Sequence, residues 1–410
     1  MNFKPKIIND PVYGFVSINH PIILEIINHP YFQRLRRIKQ LGLTNLVYPG
    51  ALHTRFHHAI GAMHLMQQAI QTLKTKGIRI NDKEEQASLI AILLHDIGHG
   101  PFSHALENTI VSNVSHEDIS SILMHDLNKQ MNGKLSLAIK IFEDTYERKF
   151  FHQLVSSQLD TDRLDYLLRD SFFTGVSEGV IGTDRIIKML TVVNDKLVVE
   201  QKGIYSIEKF LIARRLMYWQ VYLHKTVLSA ENMLVKILTR AKELVRKYNY
   251  DLFATPALKF FLQNNIEKDR FYKDKMVIEN FINLDDNDII ASIKVWTKCD
   301  DFILSELSKK FIYRQLFKTI LQKDEIPQKV ITSIEKRVLK KYHHISTQEI
   351  NYFVINGSVN NSAYVKNKFK IEIFDGKKLI DIARASDNLN IEALSGEVKK
   401  YFLSYDRNIE

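Results

Sequence analysis

Apolar positions along most of the chain return every three or four residues, the period of a helix with one buried face. Residues 20–39 carry this pattern, with Pro30 marking a helix restart. Residues 55–76 carry it again and stop at Gly77. Asn81, with Glu84 three positions later, forms a capping box ahead of the apolar run 89–94. A buried helix is therefore predicted up to Gly98. Further helices are predicted over residues 102–111, 116–131, 135–145 and 150–173, the last broken near Asp160. Residues 206–248 read as one long helix or two joined ones, and helical periodicity continues to Tyr342. The period falls to two elsewhere. Residues 190–204 predict a β-hairpin turning at Asn194-Asp195, and residues 351–355 and 369–374 predict strands, the second followed by a turn at Asp375-Gly376. A last helix is predicted over residues 392–403. Asp10–Gly14 reads as a turn after a short extended start, and residues 45–53 as a loop turning at Pro49-Gly50. The expected fold is mainly α. A helical core over residues 1–250 carries the hairpin, and residues 251–410 form a helical and α+β region packed on that core and at subunit interfaces.

Composition narrows the class. Apolar residues at 45% and charged residues at 25% leave enough core material to exclude global disorder. The single cysteine, Cys299, excludes an internal disulfide and fits a reducing compartment. The start has no apolar signal region, and the longest apolar runs are too short to span a bilayer, so a cytoplasmic protein with no membrane partner is expected. Net charge is +10, spread over both halves rather than held in a tail. It fits either an ordinary basic surface or affinity for a polyanion, a nucleotide or nucleic acid. Histidine changes the picture most. Eleven of the 15 histidines lie in residues 1–125, which places a metal or acid–base site in the first third of the chain.

The chemistry centres on His95-Asp96-Ile97-Gly98-His99-Gly100. A buried helix delivers an adjacent His and Asp, and the glycines leave room for close approach. A buried carboxylate needs a cation or several donors, and a His–Asp pair suits a borderline-to-hard divalent ion. Arg55 and His58, three apart, share a helix face that Gly61 and Ala62 make thin. Spacing alone does not choose between His57 and His58 as the ligand. Asp160–Asp170 supplies Asp162, Asp165 and Arg169 around the buried Leu164, Leu167 and Leu168; by itself this stretch reads as an exposed ion-pair ladder.

With these residues in place, the chain resembles the HD-domain phosphohydrolases. His58, His95-Asp96 and Asp162 reproduce that family's H…HD…D metal pattern. The blocks at residues 9–14, 32–42, 49–61 and 95–104 are similar to the deoxynucleoside triphosphate triphosphohydrolase branch. The resemblance runs in blocks from Lys6 to Tyr248, with a weaker echo in the last third, and no sterile-alpha-motif domain is expected.

The resemblance implies that His58, His95, Asp96 and Asp162 bind one divalent metal, Fe, Mn, Co, Zn or Mg. Water attack at the α-phosphorus would then release a deoxynucleoside and inorganic triphosphate. It makes His116 a catalytic histidine oriented by Glu107, where the family more often has Asp. It also turns His99 and His104 toward the phosphates, either one able to protonate the leaving oxygen. Arg55, Arg163 and Arg214 would hold the triphosphate, a task suited to the bidentate guanidinium fork. Arg163 stands where some relatives have Lys. Gln40 and Asp170 would contact the sugar 3′-hydroxyl, Tyr166 would pack on the sugar, and Leu41 and Tyr222 would leave no space for a 2′-hydroxyl. Arg214 and Tyr222, eight apart, could share one helix. Lys6, Asn9, Gln33 and Arg36 match an activating-nucleotide site between subunits of a homo-oligomer, a tetramer or dimer. Asn28, where guanine-reading relatives have a carboxylate, argues against guanine. The expected partners are dNTPs first and nucleic acid second. The competing readings are another HD-type phosphohydrolase, acting on a nucleoside monophosphate or a cyclic or linear oligonucleotide, and a nucleotide or nucleic-acid sensor with little turnover.

Overall fold

The computed structural model describes residues 4–102, 109, 111, 114–361, 364, 370–387 and 396–409. The chain opens with a hairpin of β1 (Lys6–Asp10) and β2 (Gly14–Ile18). The Asp10 carboxylate closes its turn by accepting from the backbone N–H groups of Val12 and Tyr13 at 2.9 and 3.0 Å. Helices α1 (Pro21–Asn28) and α2 (Pro30–Gln33) follow, each with proline in its first turn, and a 3₁₀ turn over Arg34–Arg37 leads into the loop before α3.

The long helix α3 (Arg55–Thr75) is the axis of the core, packed between α4 (Asp82–Leu94) and α8 (Thr161–Thr174). The capping box on α4 is present as expected: Asn81 Oδ1 accepts from Lys83 and Glu84, and Glu84 accepts from the Asn81 N–H. Between these lie α5 (His116–Gln130), α6 (Ser136–Phe142) and α7 (Lys149–Val155). After α8 come α9 (Thr183–Met189) and the expected hairpin, β3 (Leu190–Val193) and β4 (Lys196–Glu200). Its turn residues Asn194 and Asp195 have φ of 51° and 60°, the mirror-image turn that matches strand twist. Helix α10 (Ile204–Met217) then widens into a π-turn over Tyr218–Tyr222 before α11 (Lys225–Lys247). The single regular helix expected to carry both Arg214 and Tyr222 is therefore interrupted, as π-turns often are at functional sites.

The C-terminal region builds α12 (Pro256–Gln263), α13 (Lys268–Lys273), α14 (Lys275–Ile282), α15 (Asp286–Trp296) and α16 (Phe302–Ile312). After these come β5 (Lys318–Gln322), α17 (Gln328–Lys341) and β6 (Val354–Asn361). Strands β7 (Glu372–Phe374) and β8 (Leu379–Asp381) join the early hairpin in one sheet of order β3-β4-β7-β8, with β4 and β7 parallel. The last strand, β9 (Val398–Tyr405), lies between β5 and β6, antiparallel to both. This corrects two expectations. Residues 398–403 form a strand instead of a helix, and residues 318–322 interrupt the helical region. One hydrophobic cluster runs from Val16 to Tyr405, and no helix among the described residues is long and apolar enough to cross a membrane.

Candidate metal centre and active site

Four helix ends and one loop converge on a buried group of histidines and carboxylates. His58 lies one turn into α3. His57 beside it is spent on the helix start, where its Nδ1 accepts from the Thr54 N–H at 3.1 Å. That settles the choice between the two: His58 faces the site and His57 caps the helix. His58 Nε2 lies 3.1 Å from Asp162 Oδ1, 3.3 Å from His95 Nε2 and 3.6 Å from Asp96 Oδ2. His95 Nε2 lies 3.4 Å from Asp96 Oδ1 and 3.5 Å from Asp162 Oδ1.

The tautomers follow from the outer nitrogens. His58 Nδ1 is 2.7 Å from Asp165 Oδ2, and His95 Nδ1 is 2.6 Å from the Ile92 carbonyl oxygen. Both are acceptors, so each Nδ1 carries a proton and both Nε2 lone pairs point inward. Two lone pairs and two carboxylates at these distances call for positive charge among them, either a metal ion or a proton on an imidazole. Two ligands of one ion held at about 2.1 Å lie roughly 3.0–3.5 Å apart, which is the spacing seen here. The donor set of His58, His95 and Asp162 therefore fits a divalent metal, with Asp96 beside it and also grouped with His99 and His116. The electrostatics say the same. Burial works against charging His58, yet Asp162 and Asp165 overcome it and raise its pKa to about 10. Burial also works against the Asp96 carboxylate, but His95 and Arg55 hold it well below the usual carboxylate range.

Close packing makes this geometry attainable. A Cβ on Gly61 would sit 2.1 Å from both Arg169 Nη2 and Asp165 Oδ1, so glycine is what admits the Asp165–Arg169 pair against α3. Arg169 bonds Asp165 at 2.9 Å and Asp10 at 2.8 Å, which ties the N-terminal turn to the ligand helix. All three are buried, so the expected exposed ion-pair ladder on α8 is instead an internal brace for His58. A Cβ on Gly98 would meet the His116 carbonyl oxygen and the Ser120 nitrogen at 2.3 Å. That approach stacks His99 on His116, with ring centroids 3.9 Å apart. His99 Nε2 lies 3.3 Å from Asp96 Oδ1, and burial with the nearby Arg55 charge holds its pKa well below the ordinary value. His104 and Glu107 lie outside the described residues.

Of the arginines expected to hold phosphate, Arg55 and Arg163 border this group and Arg214 lies by Tyr218. Arg55 pairs with Asp96, Arg163 pairs with the buried Asp160, and the Arg214 guanidinium lies 5.9 Å from the Tyr218 ring centroid. The residues expected to meet the sugar form a second cluster. Tyr222 Oη donates to Asp170 Oδ2 at 2.8 Å, Tyr166 meets the Tyr222 ring edge-on at 6.2 Å, and Gln40 and Leu41 are half-buried on the loop before α3. Lys6 and Asn9 are exposed on β1, and Asn28 is exposed at the end of α1. Gln33 bonds the Ile27 carbonyl oxygen, and Arg36 donates to Gln33 at 3.0 Å while lying 3.5 Å over the Phe56 ring.

Sequence reasoning named Arg169 but expected it exposed, and it missed Asp10, Arg34 and Asp286. Asp10 and Arg169 brace Asp165; the Asp165/Arg169 spacing of four was the only signal for that pair. Arg34, fully buried, donates to the carbonyl oxygens of Leu284, Ile97 and His99. Asp286 accepts from the N–H groups of Lys39 and Phe102 at 3.0 and 2.8 Å. Through Arg34 and Asp286 the C-terminal region clips together the two loops that carry Gln40 and His99, and no local pattern announces a contact across some 250 residues.

Comparison with known proteins places this geometry. The HD domain profile matches residues 55–168, and an HD associated region profile matches residues 181–253. The uncharacterized protein YwfO of Bacillus subtilis is 36% identical over 324 residues, 77% of this chain and 72% of its own length. The deoxynucleoside triphosphate triphosphohydrolase SAMHD1 homolog of Dictyostelium discoideum is 32% identical over 260 residues, 59% of this chain and 50% of that protein. The crystal structure of a phosphohydrolase (BT4208) from Bacteroides thetaiotaomicron superposes with a TM-score of 0.95 at 54% identity, covering 98% of this chain and 100% of that one. A chain with this profile, these relatives and a cluster of two histidines and an aspartate suited to a divalent ion belongs to the HD-domain phosphohydrolases.

Proposed function

We propose that the protein hydrolyses deoxynucleoside triphosphates to a deoxynucleoside and inorganic triphosphate, with water attacking the α-phosphorus. The observation that carries this reading is the adjacency of two clusters. The His58, His95, Asp96 and Asp162 group is bordered by Arg55 and Arg163, and α8 leads from Asp162 to the Asp170–Tyr222 pair in two turns. One divalent ion, Fe, Mn, Co, Zn or Mg, would acidify a water and polarise a phosphoryl oxygen there.

The chain's own groups then divide the work. Arg55, Arg163 and Arg214 bind phosphate oxygens. Gln40 and Asp170 meet the sugar 3′-hydroxyl, Tyr166 packs on the ring, and Leu41 with Tyr222 closes the space a 2′-hydroxyl would need. His116, oriented by Glu107, handles protons at the reacting centre. His99 is held neutral at pH 7 by burial and by Arg55, so it suits orienting phosphate and His104 suits protonating the leaving 5′-oxygen. Lys6, Asn9, Gln33 and Arg36 would take an activating nucleotide other than guanine between subunits of a tetramer or dimer in the cytoplasm.

The test incubates the protein with Mn²⁺ and each dNTP, alone and with a second nucleotide, and reads the phosphate product. Tripolyphosphate is expected. Pyrophosphate or monophosphate as the product would reject the reaction, and equal turnover of ribonucleotides would reject the sugar wall.

A further inference from the structure

His53 has no role in any reading above, yet it sits at the centre of the sugar cluster. Its side chain is 0% exposed and stacks on the Phe173 ring, with centroids 4.5 Å apart and planes inclined by 18°. Its Nε2 lies 2.8 Å from Asp170 Oδ1, while Tyr222 Oη holds the other Asp170 oxygen at 2.8 Å. Its carbonyl oxygen accepts the Gln40 N–H at 3.0 Å. One residue thus touches both Gln40 and Asp170, on elements 130 positions apart in the chain.

The carboxylate only accepts, so the bond to Asp170 places a proton on His53 Nε2. The His53 Nδ1 is buried and has no partner among the described residues. A buried ring nitrogen without a partner is costly, so a histidine kept only for packing would be worse than phenylalanine here. Its return is the Asp170 bond. With Oδ1 held by His53 and Oδ2 by Tyr222, the carboxylate plane cannot rotate. The free lone pairs point in a fixed direction and can accept only from a hydroxyl or amine donor.

We propose that His53 is a positioning residue that fixes the Asp170 carboxylate, and through it Tyr222, to read the 3′-hydroxyl of the substrate sugar. The inference rests on the proposed role of Asp170.

The experiment compares wild type, His53→Phe and His53→Gln. It measures kcat/KM for a dNTP by tripolyphosphate release, and the inhibition constant of the matching 2′,3′-dideoxy triphosphate. Phenylalanine keeps the stacking and removes the donor, whereas glutamine places an amide N–H at similar reach. His53→Phe should lower kcat/KM for the dNTP about 10- to 100-fold, the range for losing an orienting partner. It should change the dideoxy inhibition constant by no more than about threefold, and His53→Gln should recover most of the loss. Should His53→Phe not fold, His53→Asn, whose amide ends short of Asp170, replaces it. Equal losses on both nucleotides, or no recovery with glutamine, would overturn the role of His53 while leaving the reaction standing. A wild-type protein silent on every dNTP would overturn the reaction itself, and the sugar contact with it.

Discussion

Gly61→Ala is the sharpest test of how the site is packed. In an open helix this change would stabilise by about 0.8–1.0 kcal/mol, because alanine restricts the unfolded chain. Here the new methyl would overlap Arg169 Nη2 and Asp165 Oδ1, each 2.1 Å from the ideal Cβ position. Side-chain ends usually swing aside, but these are 0% exposed and locked. Arg169 is held by Asp165 and Asp10, and Asp165 by Arg169 and His58. Relief requires separating a buried ion pair, which costs about 3–5 kcal/mol. Setting the helix gain against that leaves a net loss of about 2–4 kcal/mol. Unfolding entropy is about 2.1 cal/mol/K per residue, so over 410 residues each kcal/mol moves Tm by roughly 1 °C. A fall of about 2–5 °C is expected by scanning calorimetry, with a matching drop in urea midpoint. Gly182→Ala is the control. Its Cβ would meet only Arg185 Cβ, at 3.9 Å, and it should stay within about 0.5 kcal/mol of wild type. A Gly61→Ala protein as stable as wild type would refute the account of α3 pressed against the Asp165–Arg169 pair.

Other expectations follow from the same geometry. His58→Ala should abolish metal retention on a desalting column read by elemental analysis, whereas His57→Ala should keep the metal and lose about 1 kcal/mol from the helix cap; equal metal loss in both would contradict the division of roles. Asp165→Asn should weaken metal affinity about 10- to 100-fold in a competition titration, because the outer nitrogen of His58 loses its carboxylate; unchanged affinity would remove Asp165 from the site. Glu231, half-buried on α11 with no partner among the described residues, has its pKa pushed up by burial to about 7. The folded chain then holds a proton that the unfolded chain has released, so the contribution of Glu231 to stability falls as pH rises from about 4.5 to about 7 and stays low above it. Glu231→Gln should therefore raise Tm at pH 8 and do little at pH 4.5, and a shift of equal size at both would exclude that titration.

The residues that carry chemistry were more legible than the contacts that hold them. His58, His95 and Asp162, which the structure brings together, could be picked out with Asp96 because their types and order along the chain match a known pattern. The α4 cap and the Asn194-Asp195 turn could be picked out because their physics is local. The strand Val398–Tyr405 could not. Among its large apolar residues Val398, Tyr401, Phe402, Leu403 and Tyr405, three fall at spacings of three, four and seven from Val398, which fit a helix face as well as a strand. Pairing with β5 and β6, dozens of residues away, decides the matter. His53 and Asp286 escaped for the same reason, since each acts on a partner far along the chain.

The parallel pairing of β4 with β7 has a consequence for how the protein is made. The catalytic half leaves the ribosome first, but its hairpin cannot gain its third strand until Glu372–Phe374 emerges, some 172 residues after Glu200. At about 5–20 residues per second this is a wait of roughly 9–35 s with one strand edge open. The Leu284–Asp286 segment, which bridges the loops carrying Gln40 and His99, also arrives late. The nascent core thus passes through a period in which its candidate metal ligands have been synthesised while their clamp has not.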